Sequence, residues 1–275
     1  MQRYLICSDI DGTLMTSDQK ITERTMDTIQ LLQDEGHIFY LATGRMLLSA
    51  QQIAQSISQQ TGVIASNGGI LSFKDECIKY TLNRECSIEI YQIATKYQLP
   101  LFFFSHDTVY YNLVLPDYFK DDDAQGRIDS GYQKLYYHIQ DEKDLREHSK
   151  DFINAIIISE DHPEELKIAK ELLEQNQDLT VTSSFWNNIE LSPKGISKAI
   201  AIEKLQEIYQ ISPTHTIAFG DGDNDIEMFK VSKISVAMSN ASDTLKAIST
   251  HQTLSHNEEG VYNFLNEFFK LGGNK

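Results

Sequence analysis

The sequence predicts an α/β protein in which a parallel sheet covered by helices is interrupted by a second, inserted α+β domain. Three observations predict this fold. Short apolar runs alternate with helical segments in the first 80 residues, and the same alternation returns near the C-terminus. Between residues 82 and 186 the apolar runs are more aromatic and are often separated by short turns. Alternation of strands and helices is typical of parallel sheets, whereas strands joined by short turns pair antiparallel.

The first part of the chain contains three predicted strands, each followed by a polar segment. These strands cover residues 4–8, 38–42 and 63–66. A helix is predicted between the first two strands, with Thr22 as its N-cap and Gly36 placed to end it. A second helix, from about residue 46 to residue 58, connects the second strand to the third.

The middle of the chain has the aromatic pattern with short turns, and the end of the chain returns to the alternation of strands and helices. The middle segment predicts strands at 101–104, 109–111, 154–158 and 179–182, an acidic loop at 121–123 and a helix at 163–174. The C-terminal part predicts helices at 196–209 and 226–229, strands at 216–219 and 234–237, and a last amphipathic helix carrying Val261, Phe264, Leu265 and Phe268. We therefore expect one α/β domain that encloses an α+β insert with an antiparallel sheet.

Composition excludes several classes of function. The 275 residues carry a formal net charge of -16, which argues against DNA or RNA as a partner, because basic residues drive binding to a phosphate backbone. Three cysteines without a C-x-x-C pair fit neither a disulfide framework nor a zinc site. The sequence shows no signal peptide and no apolar stretch of roughly 20 residues, so we expect a cytoplasmic protein without a membrane partner.

Two aspartates follow the first predicted strand in the run Asp9-Ile10-Asp11-Gly12-Thr13. A spacing of two residues along an extended strand places both side chains on the same side of it. Paired carboxylates suit phosphoryl transfer, where one attacks phosphorus and the other handles the proton of the leaving group. A carboxylate that approaches a phosphate needs a cation such as Mg²⁺ to offset repulsion. Taken alone, the motif favours a solvated Asp-Gly turn.

A second acidic run, Gly220-Asp221-Gly222-Asp223-Asn224-Asp225, follows the predicted strand at 216–219. Ligands of open α/β sheets bind at the carboxyl ends of the strands, so Asp221 is expected beside the first pair of aspartates. A calcium loop is the competing interpretation of the alternating aspartates. The sequence excludes it, because such a loop would have Ile226 at its glycine position and Ser232 at its glutamate position.

Two further elements could hold a phosphate. Thr43-Gly44-Arg45 ends the second predicted strand and leads into a helix, where a hydroxyl and backbone N–H groups bind anions well. Taken alone, Thr43 is better explained as an ordinary N-cap. Lys198 lies near the start of a predicted helix and could place a positive charge on a phosphoryl oxygen, although a lysine on a helix is commonly solvated.

Together these motifs resemble those of the haloacid dehalogenase superfamily, and more narrowly of its Cof-type phosphatases. The resemblance covers nearly the whole chain. It includes the four motifs at 9–13, 43–45, 195–198 and 220–225, with weaker likeness at 236–241 and 259–261. Ser239 stands where these proteins usually have glycine, away from the expected chemistry. The resemblance implies a Rossmann-like parallel sheet core flanked by helices, formed by residues 1–81 and 187–275. Residues 82–186 would form an inserted α+β cap domain that selects the substrate.

The resemblance also implies a role for each matching residue. Asp9 would attack phosphorus and form an aspartyl-phosphate, and Asp11 would protonate the leaving oxygen and then activate water. Mg²⁺ would be held by Asp9, by the backbone carbonyl of Asp11 and by Asp221. Asp225 would orient metal-bound water or the lysine without binding the metal. The phosphoryl oxygens would be bound by Thr43, the Gly44 backbone, Lys198 and Asn224.

The expected function is therefore that of a Mg²⁺-dependent phosphatase, a monomer or homodimer, acting on a small phosphorylated metabolite. Among possible substrates, sugar phosphates are expected first, because the family acts on them most broadly. Pyridoxal phosphate and flavin mononucleotide are further possibilities. A phosphomutase shares the same core and first motif. From another functional class, a non-catalytic sensor of a phosphorylated ligand could use this fold, although such a sensor has no need for both Asp9 and Asp11.

Overall fold

The computed structural model describes residues 2–73, 76–116, 135–183 and 185–271, and the chain divides into two compact units. The first unit comprises residues 1–45, 53–77 and 197–275, and the second comprises residues 46–52 and 78–196. The acidic loop predicted at residues 121–123 lies outside the described residues.

In the described part of the chain, the first sheet has eight strands and is mostly parallel. Its strands are β1 (Leu5–Ser8), β2 (Ile38–Ala42), β3 (Gly62–Ala65), β4 (Ile70–Phe73), β5 (Glu76–Lys79), β12 (Thr216–Gly220), β13 (Ile234–Ala237) and β14 (His251–Gln252). Their order across the sheet is β14-β13-β12-β1-β2-β3-β4-β5. All pairs from β14 to β3 are parallel, and β4 turns back antiparallel to β3. The parallel core predicted from the sequence is thereby confirmed.

Strand β1 lies in the middle of this sheet and is completely buried between β12 and β2. Its last residue, Ser8, lies opposite Phe219 of β12 and Leu41 of β2. The three strands therefore end at the same edge. The polar residues that follow them in the sequence must emerge there together.

Nine helices flank or connect the strands in the described ranges. They are α1 (Glu23–Asp34), α2 (Leu47–Ile57), α3 (Arg84–Lys96), α4 (Glu142–His148), α5 (Pro163–Leu173), α6 (Lys198–Tyr209), α7 (Ile226–Val231), α8 (Asp243–Ile248) and α9 (Gly260–Phe269). The predicted cap of α1 is present, since the Thr22 side chain accepts a hydrogen bond from the Thr25 N–H. Within these ranges, none of the helices has the length and apolar character needed to cross a bilayer.

Among the described residues, the second unit is built on a six-stranded sheet. Its strands are β6 (Leu101–Phe104), β7 (Thr108–Tyr111), β8 (Leu135–His138), β9 (Asn154–Ile158), β10 (Leu179–Thr182) and β11 (Asn188–Pro193), in the order β10-β11-β9-β6-β7-β8. All pairs are antiparallel except β7 with β8, which are parallel. The sheet includes β11, because β11 pairs with both β9 and β10, and it therefore extends beyond residue 186.

Candidate active site

Three carboxylates meet at the edge where β1 and β12 end. Asp9 follows β1, and Asp221 follows β12. Asp225 lies four residues further along, at the start of α7. One oxygen of each side chain lies within 4.8 Å of the others. Asp9 and Asp225 are buried and Asp221 is half-buried, so the three charges share a site with little access to water. Such a cluster requires positive charge close by.

Lys198 supplies one positive charge. It is the first residue of α6, and its side chain is fully buried. Its Nζ lies 2.7 Å from Oδ1 of Asp9 and 2.7 Å from Oδ1 of Asp225. Burial by itself lowers the pKa of a lysine, but the two carboxylates outweigh burial and raise the pKa of Lys198. Lys198 is therefore a charged bridge between two aspartates and is not a solvated surface lysine.

Asp225 holds Lys198 and the loop after β12 in place through hydrogen bonds. Its Oδ1 accepts a hydrogen bond from Lys198. Its Oδ2 accepts hydrogen bonds from the backbone N–H groups of Asp221, at 2.9 Å, and Gly222, at 3.1 Å. Both oxygens are thus engaged by donors of this chain, which leaves Asp225 suited to fix Lys198 and the loop after β12 more than to bind a metal.

A second set of contacts fixes Asp221. The Thr13 hydroxyl donates a hydrogen bond of 2.8 Å to its Oδ1. Gly12 has a φ of 73°, and a Cβ at this position would overlap the Asp221 carboxylate. The amide Nδ2 of Asn240 donates to the Gly12 carbonyl at 2.8 Å and lies 3.5 Å from Oδ2 of Asp221. The turn after β1 therefore has the conformation that Asp221 requires.

The donor set fits a divalent cation. The three aspartates carry three formal negative charges and Lys198 carries one positive charge, which leaves a formal charge of minus two. Burial raises the pKa of Asp9 to about 7, and the neighbouring carboxylates of Asp225 and Asp221 contribute, although Lys198 opposes them. Burial also raises the pKa of Asp221. Carboxylate oxygens are the ligands that Mg²⁺ prefers, and a cation here would favour their ionised form.

The side chain of Asp11 makes its hydrogen bonds to Arg45, outside the carboxylate cluster. Arg45 donates from Nε to Oδ2 of Asp11 at 2.8 Å and from Nη2 to Oδ1 at 2.5 Å. Nη2 of Arg45 also lies 3.0 Å from Oε1 of Gln19. In the sequence Arg45 is only the third residue of its motif, and the pattern indicates no role for it. The spacing of a motif alone does not show which residue a long side chain will reach.

The residues predicted to bind phosphate lie on three different elements. Thr43 is buried, and its Oγ1 accepts a hydrogen bond of 3.1 Å from the Arg45 N–H. It lies four residues before the start of α2, so it is not the N-cap of that helix. Asn224 is exposed, and its Nδ2 donates to Oδ1 of Asn67 at 3.4 Å. The side chain of Asn67 is therefore next to a predicted phosphate ligand, although no motif in the sequence points to it.

A family model described as haloacid dehalogenase-like hydrolase matches residues 6–265. The chain belongs to this family. The resemblance inferred from its four motifs is thus confirmed, and the protein is a hydrolase with the α/β fold of that family.

Individual relatives match over almost their whole length. The protein is 28% identical to the 5-amino-6-(5-phospho-D-ribitylamino)uracil phosphatase YitU of Bacillus subtilis, with 98% of each chain covered. It is 27% identical to the phosphatase YbjI of Escherichia coli, which has the same activity name, over 98% of this chain and 97% of that protein. A haloacid dehalogenase-like hydrolase from Bacteroides thetaiotaomicron has the same fold, with a TM-score of 0.83 and 24% identity over 97% of this chain and 100% of its own.

Proposed function

We propose that this protein is a Mg²⁺-dependent phosphatase that hydrolyses small phosphorylated metabolites through a phosphorylated Asp9. One observation carries the proposal. Lys198, buried, bridges Asp9 and Asp225 at 2.7 Å each, beside a third carboxylate at the same edge of the sheet. A nucleophilic carboxylate, a fixed positive charge and further acidic ligands are what phosphoryl transfer needs, since its catalysis is mostly positioning and charge stabilisation.

The side chains of Asp9 and Asp221 and the backbone carbonyl of Asp11 would hold the cation. When bound, Mg²⁺ would offset the negative charge of the phosphoryl group as the Asp9 carboxylate approaches it. Thr13 and Asn240 contact Asp221 and would keep its carboxylate oriented. Asp225 would act through its hydrogen bonds to Lys198 and to the backbone of the metal-binding loop.

In the first half of the reaction, a carboxylate oxygen of Asp9 forms a bond to phosphorus. The bond from phosphorus to the substrate's ester oxygen breaks, and Asp11 gives its proton to that oxygen. In the second half, Asp11 takes a proton from water, the water oxygen bonds to phosphorus, and the bond to Asp9 breaks. Inorganic phosphate and the original carboxylate result, with Asp11 protonated again. The paired hydrogen bonds from Arg45 would hold the Asp11 carboxylate in one orientation to take the proton from water.

Thr43, the Gly44 backbone, Lys198 and Asn224 would bind the phosphoryl oxygens. The Lys198 ammonium is already held against Asp9 and needs no reorganisation to stabilise the developing charge. The inserted domain would contact the remainder of the substrate, as in lid-closing enzymes generally.

Two lines of support suggest candidate substrates. The family as a whole favours sugar phosphates, with pyridoxal phosphate and flavin mononucleotide as further candidates. The names of the relatives YitU and YbjI add 5-amino-6-(5-phospho-D-ribitylamino)uracil, a sugar-alcohol phosphate attached to a heterocycle. We place this compound first, because both relatives align with this chain over almost their whole length.

Phosphate release from a panel containing these compounds and p-nitrophenyl phosphate would test the proposal. We expect release with Mg²⁺, none after EDTA, and recovery when Mg²⁺ is added back. Full activity in metal-free buffer would contradict the metal site. Conversion of a hexose 1-phosphate to the 6-phosphate without free phosphate would instead indicate a phosphomutase. Binding of these ligands without turnover would indicate a sensor.

A further inference from the structure

The loop after β3 has an unusual backbone conformation. Ser66 and Asn67 are consecutive residues with positive φ values, 50° and 52°. Such conformations are costly for residues other than glycine, although asparagine tolerates them better than most. They persist where the surroundings hold them and are concentrated at functional sites. The contacts of this loop show what holds it.

One side of the loop is bound to the segment after β2. The Asn67 N–H donates to the Thr43 carbonyl at 2.9 Å, and the Ser66 N–H donates to the Arg45 carbonyl at 2.9 Å. The Asn67 amide lies against the backbone of Gly44, since a Cβ on Gly44 would lie 3.3 Å from its Nδ2. Asn67 thus borders both Thr43 and Gly44, the predicted phosphate-binding residues of this segment.

The other side of the loop meets the remaining predicted phosphate ligands. Gly68 has a φ of 98°, and a Cβ there would overlap the carbonyl of Ser197, the residue before Lys198. Asn224 donates its Nδ2 to Oδ1 of Asn67 at 3.4 Å. The loop therefore contacts all three elements that carry predicted phosphate ligands.

We propose that Asn67 is itself a ligand of the substrate's phosphoryl group. Its Oδ1 accepts the hydrogen bond from Asn224, so its Nδ2 is the end of the amide that can donate to a phosphoryl oxygen. A neutral amide donor stabilises the charge of the transferring group without neutralising the nearby carboxylates. This inference rests on the proposed function, because it assigns a role within the same site.

The competing explanation is that asparagine is present only because it tolerates a positive φ. Glycine separates the two explanations, because Asn67→Gly keeps the backbone conformation at little steric cost and removes the amide. Asn67→Asp keeps the shape and replaces the amide with a carboxylate that repels phosphate. Ser66→Gly is the matched control, since it relieves the same kind of strain one residue earlier.

The variants would be compared by steady-state kinetics on the best substrate of the panel and by inhibition with inorganic phosphate, at saturating Mg²⁺. We expect kcat/KM to fall about 100-fold in Asn67→Gly, the usual effect of losing one donor to a developing oxyanion, and further in Asn67→Asp. The inhibition constant for phosphate should rise in both variants and stay at the wild-type value in Ser66→Gly. Thermal unfolding would verify that each variant is folded.

A purely structural role predicts another result. If Asn67→Gly and Asn67→Asp keep the wild-type kcat/KM and phosphate inhibition constant, Asn67 is not a phosphate ligand and the inference is wrong. A wild-type protein that releases no phosphate from any compound would instead contradict the proposed function. In that case, calorimetric titration of the Mg²⁺-loaded wild type and Asn67→Gly with inorganic phosphate would still decide the inference, with weaker binding expected for the variant and equal binding contradicting it.

Discussion

Arg45 and Asp11 form a two-point pair, with Nε of Arg45 2.8 Å from Oδ2 of Asp11 and Nη2 2.5 Å from Oδ1. A planar guanidinium bound to both oxygens fixes the rotation of the carboxylate as well as its position. An ammonium group at the same place would attract the carboxylate without fixing its plane. Arg45 is therefore a positioning residue for the proposed acid and base.

Replacing Arg45 with lysine should lower kcat about 100-fold, because a small displacement of a reacting group has effects of that size. The fold should be retained, since the side chain of Asp11 is 49% exposed and surface ion pairs contribute little to stability. Steady-state kinetics with Mg²⁺ would measure the effect. Arg24→Lys is the control, because Arg24 is exposed and its ion pair with Glu259 is long, at 3.6 Å. An unchanged kcat in Arg45→Lys would show that the pair has no part in catalysis.

Asp9→Asn should abolish turnover, because a neutral amide is a poor nucleophile, and leave the protein folded. The substitution is nearly isosteric and removes a carboxylate whose pKa burial raises to about 7. Phosphate release and thermal unfolding would be measured together. Asp18→Asn, at an exposed position, should behave as the wild type. Substantial activity in folded Asp9→Asn would refute the assigned nucleophile.

The sequence predicted the parallel part of the fold well because two simple rules determine it. Buried apolar runs formed the predicted parallel strands, and β13 has the predicted bounds at 234–237. The carboxyl ends of neighbouring parallel strands meet at one edge, which is why Asp9 and Asp221 could be placed together without coordinates.

Other features depend on contacts that no local pattern contains. Helices α3 and α4 and strand β11 were not predicted. Strand β11 is fixed by its pairing with β9 and β10. The reach of Arg45 to Asp11 and of Asn224 to Asn67 depends on side-chain directions that sequence spacing does not give.

Lys198→Met should destabilise the protein by about 3–5 kcal/mol, because it leaves Asp9 and Asp225 buried without their shared cation. Urea unfolding at neutral pH without metal would measure the loss. The loss should be smaller when the same change is made in Asp9→Asn, since one of the uncompensated charges is then absent. Lys230→Met, which breaks an exposed pair with Glu227, should cost no more than about 1 kcal/mol. Equal losses for the two lysines would contradict the importance of the buried bridge.

Thr13→Val should weaken Mg²⁺ binding about tenfold, because the Thr13 hydroxyl orients the Asp221 carboxylate from 2.8 Å and groups that orient metal ligands have effects of that order. Valine has nearly the same shape as threonine, which suits a side chain that is 1% exposed. Calorimetric titration with Mg²⁺ alone would measure the affinity without relying on turnover. Thr13→Ser keeps the hydroxyl and should bind Mg²⁺ like the wild type. Equal Mg²⁺ affinity in Thr13→Val and the wild type would show that this hydrogen bond does not contribute to metal binding.

His37 should make stability depend on pH far from the active site. Its Nδ1 accepts a hydrogen bond of 3.1 Å from the Tyr4 N–H, and within the described ranges its buried Nε2 has no partner. Burial lowers the pKa of His37 from the ordinary value of 6.5. The unfolded chain therefore binds a proton more readily than the folded protein, so this contribution to stability is complete above the unfolded pKa and is lost as pH falls through 6.5.

Asparagine at position 37 tests this dependence, because its Oδ1 can accept the same hydrogen bond but does not titrate. Urea midpoints would be compared between about pH 7.5 and pH 5.5, a window that brackets the histidine titration. The midpoint should fall less in His37→Asn than in the wild type, whereas His162→Asn, at an exposed position, should follow the wild type. The same decrease in His37→Asn and the wild type would mean that other groups cause the pH dependence, because only the buried histidine distinguishes the two proteins.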